Sequence, residues 1–85
     1  MDKTQRMAFI LISFPTGSHA LLEVFSLMSK FETFFLGSIN VNISEGGESA
    51  IGILIKANTD QMGAITGPIG KINGVTVKSA ILPNK

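Results

Sequence analysis

Gly67-Pro68-Ile69-Gly70-Lys71-Ile72-Asn73-Gly74-Val75-Thr76-Val77-Lys78-Ser79-Ala80-Ile81-Leu82 holds the end of a helical pattern, a glycine turn and an alternating segment in one run. Val75, Val77, Ser79 and Ile81 alternate with Thr76, Lys78, Ala80 and Leu82, the period-two signature of a strand. Upstream, Met62, Ile65, Ile69 and Ile72 recur at helical spacing and form one apolar stripe. Asn73-Gly74 between them predicts a left-handed helix closure. A helix that feeds a strand through a glycine turn is half of a repeated unit, and the rest of the chain supplies the other half.

Working outward, Asn58 with Gln61 three residues later fits a capping box, so the second helix opens there. Gly63, Gly67 and Pro68 weaken it, by about 1 kcal/mol per glycine and about 3 for an interior proline, so a kink or break is expected near Pro68. The reading of Gly63, Gly67 and Gly70 is close helix packing, because no phosphate-loop spacing follows a strand. Before this helix, Glu48 to Ala57 is apolar on both sides in its middle. Phe35 to Ile43 alternates, with Phe35, Gly37, Ile39, Val41 and Ile43 pointing one way, which predicts a half-buried strand. Ser44-Glu45-Gly46-Gly47 joins the two as a hairpin turn. Leu21, Val24, Phe25, Met28 and Phe31 make the stripe of a first helix over about 18–31, with Ser18 as its N-cap. Met7 to Phe14 is apolar at nearly every position and suits a strand covered on both faces, ended by Pro15.

The order is therefore β-α-β-β-α-β. The two strands apolar on both sides are the first and third, the ones a split βαβ sheet of order 4-1-3-2 places centrally. The fold class is α+β: a ferredoxin-like sandwich of a four-stranded antiparallel sheet with two helices on one face. The other sheet face still carries isoleucines and phenylalanines and is expected to meet another subunit.

Composition sharpens that expectation. The chain of 85 residues has 45% hydrophobic and only 15% charged residues, and no cysteine. Disulfides and thiolate metal sites are excluded. A domain of this size hides only about 60–65% of its unfolded surface, so part of the apolar surplus is assigned to self-association through a sheet face or edge. A net charge of +1 without a basic cluster argues against direct nucleic-acid binding, and no apolar run approaches the roughly 20 residues of a membrane helix. Lys3 and Arg6 ahead of Met7–Phe14, with Ser18-His19-Ala20 beyond, imitate a short signal peptide. The strand reading is preferred because cleavage would delete a strand the sheet needs, and the location is read as cytoplasmic.

Chemistry-bearing residues are few. His19 is the single histidine, a poor metal site without further ligands. Asp60 and Glu23 read as ordinary first-turn or solvent-face acids, and no nucleophile–histidine–acid set is legible, so neither a catalytic site nor a cofactor is assigned. The one candidate site is the turn before the first helix. Gly17, Ser18 and His19 lie beside its free amides, where a carboxylate or amino-acid effector is favoured.

Resemblance to known families follows from two stretches. Pro15-Thr16-Gly17-Ser18-His19-Ala20-Leu21-Leu22-Glu23-Val24 is similar to the P-G-x-L-x-x-V entry of ACT effector-binding domains, with Thr16 between the proline and the glycine and Ser13-Phe14 where an Asp is usual. Over nearly the whole length, the chain resembles the small stand-alone ACT-like proteins described as iron-only hydrogenase system regulators. The sharpest part is Thr66 to Ser79, T-G-P-I-G-K-I-N-G-V-T-V-K-S, against that family's S-G-K-L-G-x-L-x-G-V-S-V-K-T. The resemblance implies one ACT-like domain over 1–85 and a regulatory role; the ends 1–5 and 83–85 are read as flexible from their sequence, and the homo-oligomeric expectation comes from the apolar surplus. Alternatives are a small dimeric α/β-barrel type enzyme and a sensor like the C-terminal domain of nickel-responsive repressors, whose histidine and cysteine ligands have no counterparts here beyond His19. Absent cysteines exclude a ferredoxin. The third strand lacks the aromatics of an RNA-recognition domain. The first loop lacks the C-x-x-C of a metal chaperone and the arginine of an acylphosphatase.

Overall fold

The computed structural model of the chain describes residues 5–31, 34–43 and 47–83, with only the backbone at 41–43. The elements run β1 (Arg6–Pro15), α1 (Ala20–Ser29), β2 (Phe35–Ile43), β3 (Glu48–Ala57), α2 (Thr59–Gly70) and β4 (Thr76–Ile81). The sheet order is β2-β3-β1-β4 and every pairing is antiparallel, so β1 and β3 lie inside as their composition predicted. Among the hairpin residues assigned from sequence, 44–46 lie outside the described residues, as do 1–4 and 84–85 of the chain ends.

β1 and β3 are paired along their full length, from Arg6 opposite Ala57 to Pro15 opposite Glu48. Because successive side chains alternate across a sheet, this register puts Ala8, Ile10, Ile12 and Phe14 on one face with Ile51, Ile53, Ile55 and Ala57. Both helices cover that face. Val24 and Met28 of α1 and Met62, Ile65 and Ile69 of α2 join the same buried cluster. Each fully buried isoleucine or valine is worth about 1.5–3 kcal/mol of burial.

The helices differ from expectation in three details. First, α1 is shorter than 18–31, and its N-cap is His19, already in helical backbone and without a side-chain cap bond. Ser18 is instead held in the preceding turn. Its amide donates to the Pro15 carbonyl at 3.2 Å, and its hydroxyl accepts from the Ala20 amide at 3.3 Å. Second, the buried stripe of α1 is Ala20, Val24 and Met28, with Leu27 and Phe31 beside it, while Leu21 and Phe25 are exposed on a flank. Ala20, which pattern reading left out of the stripe, is 4% exposed. Third, α2 runs unbroken through Pro68. Proline removes a bond to the carbonyl four residues back, and that residue, Ala64, is exposed, so water can take the bond's place.

The capping box of α2 is present as predicted: the Asn58 side chain accepts from the Gln61 amide, and the Gln61 side chain from the Asn58 amide, both at 2.8 Å. The helix does not close at Asn73-Gly74. Lys71 and Ile72 donate to Pro68 and Ile69, tightening the last turn, and a separate turn then runs from Ile72 to Val75 (Val75 amide to Ile72 carbonyl, 3.1 Å). Gly74 sits third in that turn at φ +85°, the position where such a turn needs a residue without a Cβ. Close packing does not explain the helix glycines: a Cβ at Gly63, Gly67 or Gly70 would meet nothing within 4 Å.

Two predictions follow from this packing. Ile53→Ala, at a side chain with 0% exposure, should lower the unfolding free energy by about 2–5 kcal/mol in urea titration. Gly63→Ala, in open space on α2 and away from Pro68, should raise it by about 0.5–1 kcal/mol.

Candidate functional site

Two surfaces stand out, one polar and one apolar. The polar one surrounds the β1–α1 turn. The amide of Thr16 donates to the Gly47 carbonyl at 2.8 Å, and the hydroxyls of Thr16 and Ser49 share a hydrogen bond of 2.9 Å. The Ser13 hydroxyl donates to the Glu48 carboxylate at 3.2 Å. These bonds fasten the turn to the start of β3. Gly17, at φ +81°, is third in the tight turn from Pro15 to Ser18.

Beyond the turn lies a hollow of about 290 Å³ lined by Ser18, His19, Ala20, Glu23, Ile72 and Asn73. Ser18 and His19 are thus brought together with the α2–β4 connection, while Gly17 shapes the turn and does not line the hollow. With His19 as N-cap, the first amides of α1 lack intrahelical partners, and the Ala20 amide is already used by Ser18. Glu23 joins the lining from the first turn of α1. Sequence reading set it aside as a solvent-face acid; its place one turn after His19 was the available signal. Among the described residues, no group of three or more His, Cys, Asp or Glu is placed to hold a metal ion, and no helix is long and apolar enough to cross a membrane.

The apolar surface is the sheet face away from the helices. Strand parity places Met7, Phe9, Leu11, Ala50, Gly52, Leu54, Ala80 and Leu82 there, with Gly37 and Ile39 from β2. The expectation that β1 is covered on both faces therefore fails within one chain: Met7, Phe9 and Leu11 are each at least 40% exposed, because both helices pack on the opposite side. β2 is not half-buried either. A register irregularity between Phe35 and Gly37 turns Phe35 to the helix side and Ile39 to the open side. Ile39 is 61% exposed. The polar Ser38 and Asn40 then lie on the helix side and are also exposed, Asn40 lining a hollow with Leu21 and Phe25 of α1.

Comparison with known proteins fits this architecture. A family model named TM1266-like and described as "Iron-only hydrogenase system regulator, putative" matches residues 6–79. Among solved structures, the uncharacterized protein TM1266 from Thermotoga maritima is 26% identical, with a TM-score of 0.89 over 93% of this chain and 99% of that one. The ACT domain of GTP pyrophosphokinase from Chlorobium tepidum is 23% identical, with a TM-score of 0.75 over 91% of this chain and 100% of that domain. A formyltetrahydrofolate deformylase from Pseudomonas putida shares the fold over 29% of its own length, at 12% identity and a TM-score of 0.66. No curated protein matches the chain significantly in sequence.

Thr16→Val removes the hydroxyl that bonds Ser49 and should cost about 0.5–1.5 kcal/mol. Hydrogen exchange at the Thr16 amide, bonded to Gly47, should accelerate as the turn loosens.

Proposed function

The chain belongs to the TM1266-like family of iron-only hydrogenase system regulators, and on that premise we propose that it is a small homo-oligomeric regulatory module of such a system. It works by binding rather than by turnover, in the cytoplasm, without touching nucleic acid itself. The observation that carries the oligomeric part is the open sheet face, where Met7, Phe9, Leu11, Ile39 and Leu82 are all at least 40% exposed in a single chain. Monomers rarely leave contiguous apolar patches larger than a few hundred Å² in water.

The effector-binding part rests on the hollow beside Ser18 and His19. Unpartnered amides at the start of α1 favour a carboxylate. Glu23, in the same lining, repels a plain anion but suits an ammonium group. The pairing favours a zwitterionic amino acid over a simple dicarboxylate, and Gly17 contributes by holding the turn.

Light scattering at micromolar concentration should give a mass that is a multiple of 9.0 kDa; a clean monomer contradicts the oligomeric reading. A thermal-shift screen tests the effector. An amino acid present at about 100 times its dissociation constant should stabilise by about 2.7 kcal/mol, or roughly 10–20 °C for a domain of this size. Glu23→Gln should weaken that shift. A screen in which no amino acid or carboxylate stabilises the protein, or in which a substrate is turned over, contradicts the effector reading.

A further inference from the structure

The open sheet face has relief as well as hydrophobicity. Phe9 of β1 leans across β3 with the tip of its ring toward Gly52: a Cβ built on Gly52 would stand 3.2 Å from the ring's Cε1 and Cε2 and closer still to Cζ. Glycine within a central strand weakens it and commonly marks close approach by another group. Here the missing side chain seats the ring against its own sheet as a low ridge. Beside the ridge is a hollow of about 340 Å³ lined by Phe9, Gly37, Ser38, Ile39, Gly52 and Leu54. A Cβ at Gly37 would meet nothing within 4 Å, so that flank of the hollow is open space. An aromatic ridge and an apolar hollow wide enough for an aromatic ring therefore lie side by side on one surface.

We infer that the open face binds a second copy of this chain, with Phe9 of each copy packed against Gly37, Ile39 and Leu54 of the other. This rests on the oligomeric reading above and gives it a contact. Three observations favour a second copy over a foreign partner. A two-fold contact needs knob and hole on the same patch, and this patch has both. Four strands about 4.8 Å apart and up to ten residues long at about 3.3 Å each give a face of roughly 500–600 Å² in projection, which side-chain relief raises toward the roughly 800 Å² per partner of a standard interface. Charge is kept out of the middle: by parity the described charged residues on this face are Glu48 and Lys56 at opposite ends of β3 and Lys78 on the edge strand β4, all exposed. Lys78 can lay its stem on the apolar surface and carry its ammonium past the rim.

Complementation tests the contact. Phe9→Ala removes the ridge and Gly37→Leu fills the hollow; neither touches the core on the helix side, and retained cooperative melting of each variant establishes that it folds. Each variant alone should lose self-association, with dissociation constants raised at least tenfold by sedimentation. Mixed together, they should form a heterodimer, because the Phe9 ring of the Gly37→Leu chain meets the unaltered Gly37, Ile39 and Leu54 of the Phe9→Ala chain. If the wild type associates but both variants associate equally well, or if the mixture stays monomeric, this contact is wrong while the oligomeric reading stands. A wild type that is monomeric at micromolar concentration overturns both and leaves the face to a different protein.

Discussion

The full-length antiparallel pairing of β1 with β3 is the constraint on which the rest of the structure depends. Its register sets Ile10 opposite Ile53 and Ile12 opposite Ile51, and with them the face that the helices must cover. A slip of one residue would turn every one of these side chains to the other side. The same register, read on the alternate positions, sends Met7, Phe9, Leu11 and Leu54 to the face that no helix reaches. Core and open face are thus one decision. Two strands greasy on both sides, with helices enough for one side only, leave an apolar surface as a consequence of pairing.

That surface connects the fold to regulation. A module that acts by binding needs a rigid frame and a place where occupancy can be reported. The β1–α1 turn is fastened to β3 through Thr16, Ser49 and Gly47, and β3 also carries Gly52 and Leu54 of the open face. The hollow beside Ser18, His19 and Glu23 is lined from α1 and the α2–β4 connection, and only the turn before α1 links it to β3.

Much of the fold was legible because periodicity reports directly on burial. The alternation after Gly74, the helical recurrence of Met62, Ile65 and Ile69, and the continuous apolar runs of β1 and β3 sufficed for element order and sheet order. What was not legible depends on tertiary geometry. That α1 packs on Ala20 rather than Leu21 is a matter of how closely the helix sits on the sheet, which a hydrophobic pattern does not encode. The irregularity between Phe35 and Gly37 breaks the alternation of β2; strand glycines often mark a bulge, but Gly37 also fits the unbroken alternation, so the facing of Phe35 was not separated from that of Ile39. The exposed glycines of α2 look the same in sequence whether they face a neighbour or solvent. At the candidate site, Ser18 and His19 were found from loop chemistry, but Ile72 and Asn73 join them only because the chain after α2 comes back beside α1.

The account's central claim is that the working protein buries its open sheet face, and hydroxyl-radical footprinting at micromolar concentration tests it with one pair of like residues. In a lone chain Leu11, on the open face, is 45% exposed, and Leu22, on the outer side of α1, is 71% exposed. Burial of the face predicts that Leu11 is modified at well under half the rate of Leu22. Rates in proportion to those two exposures would contradict it.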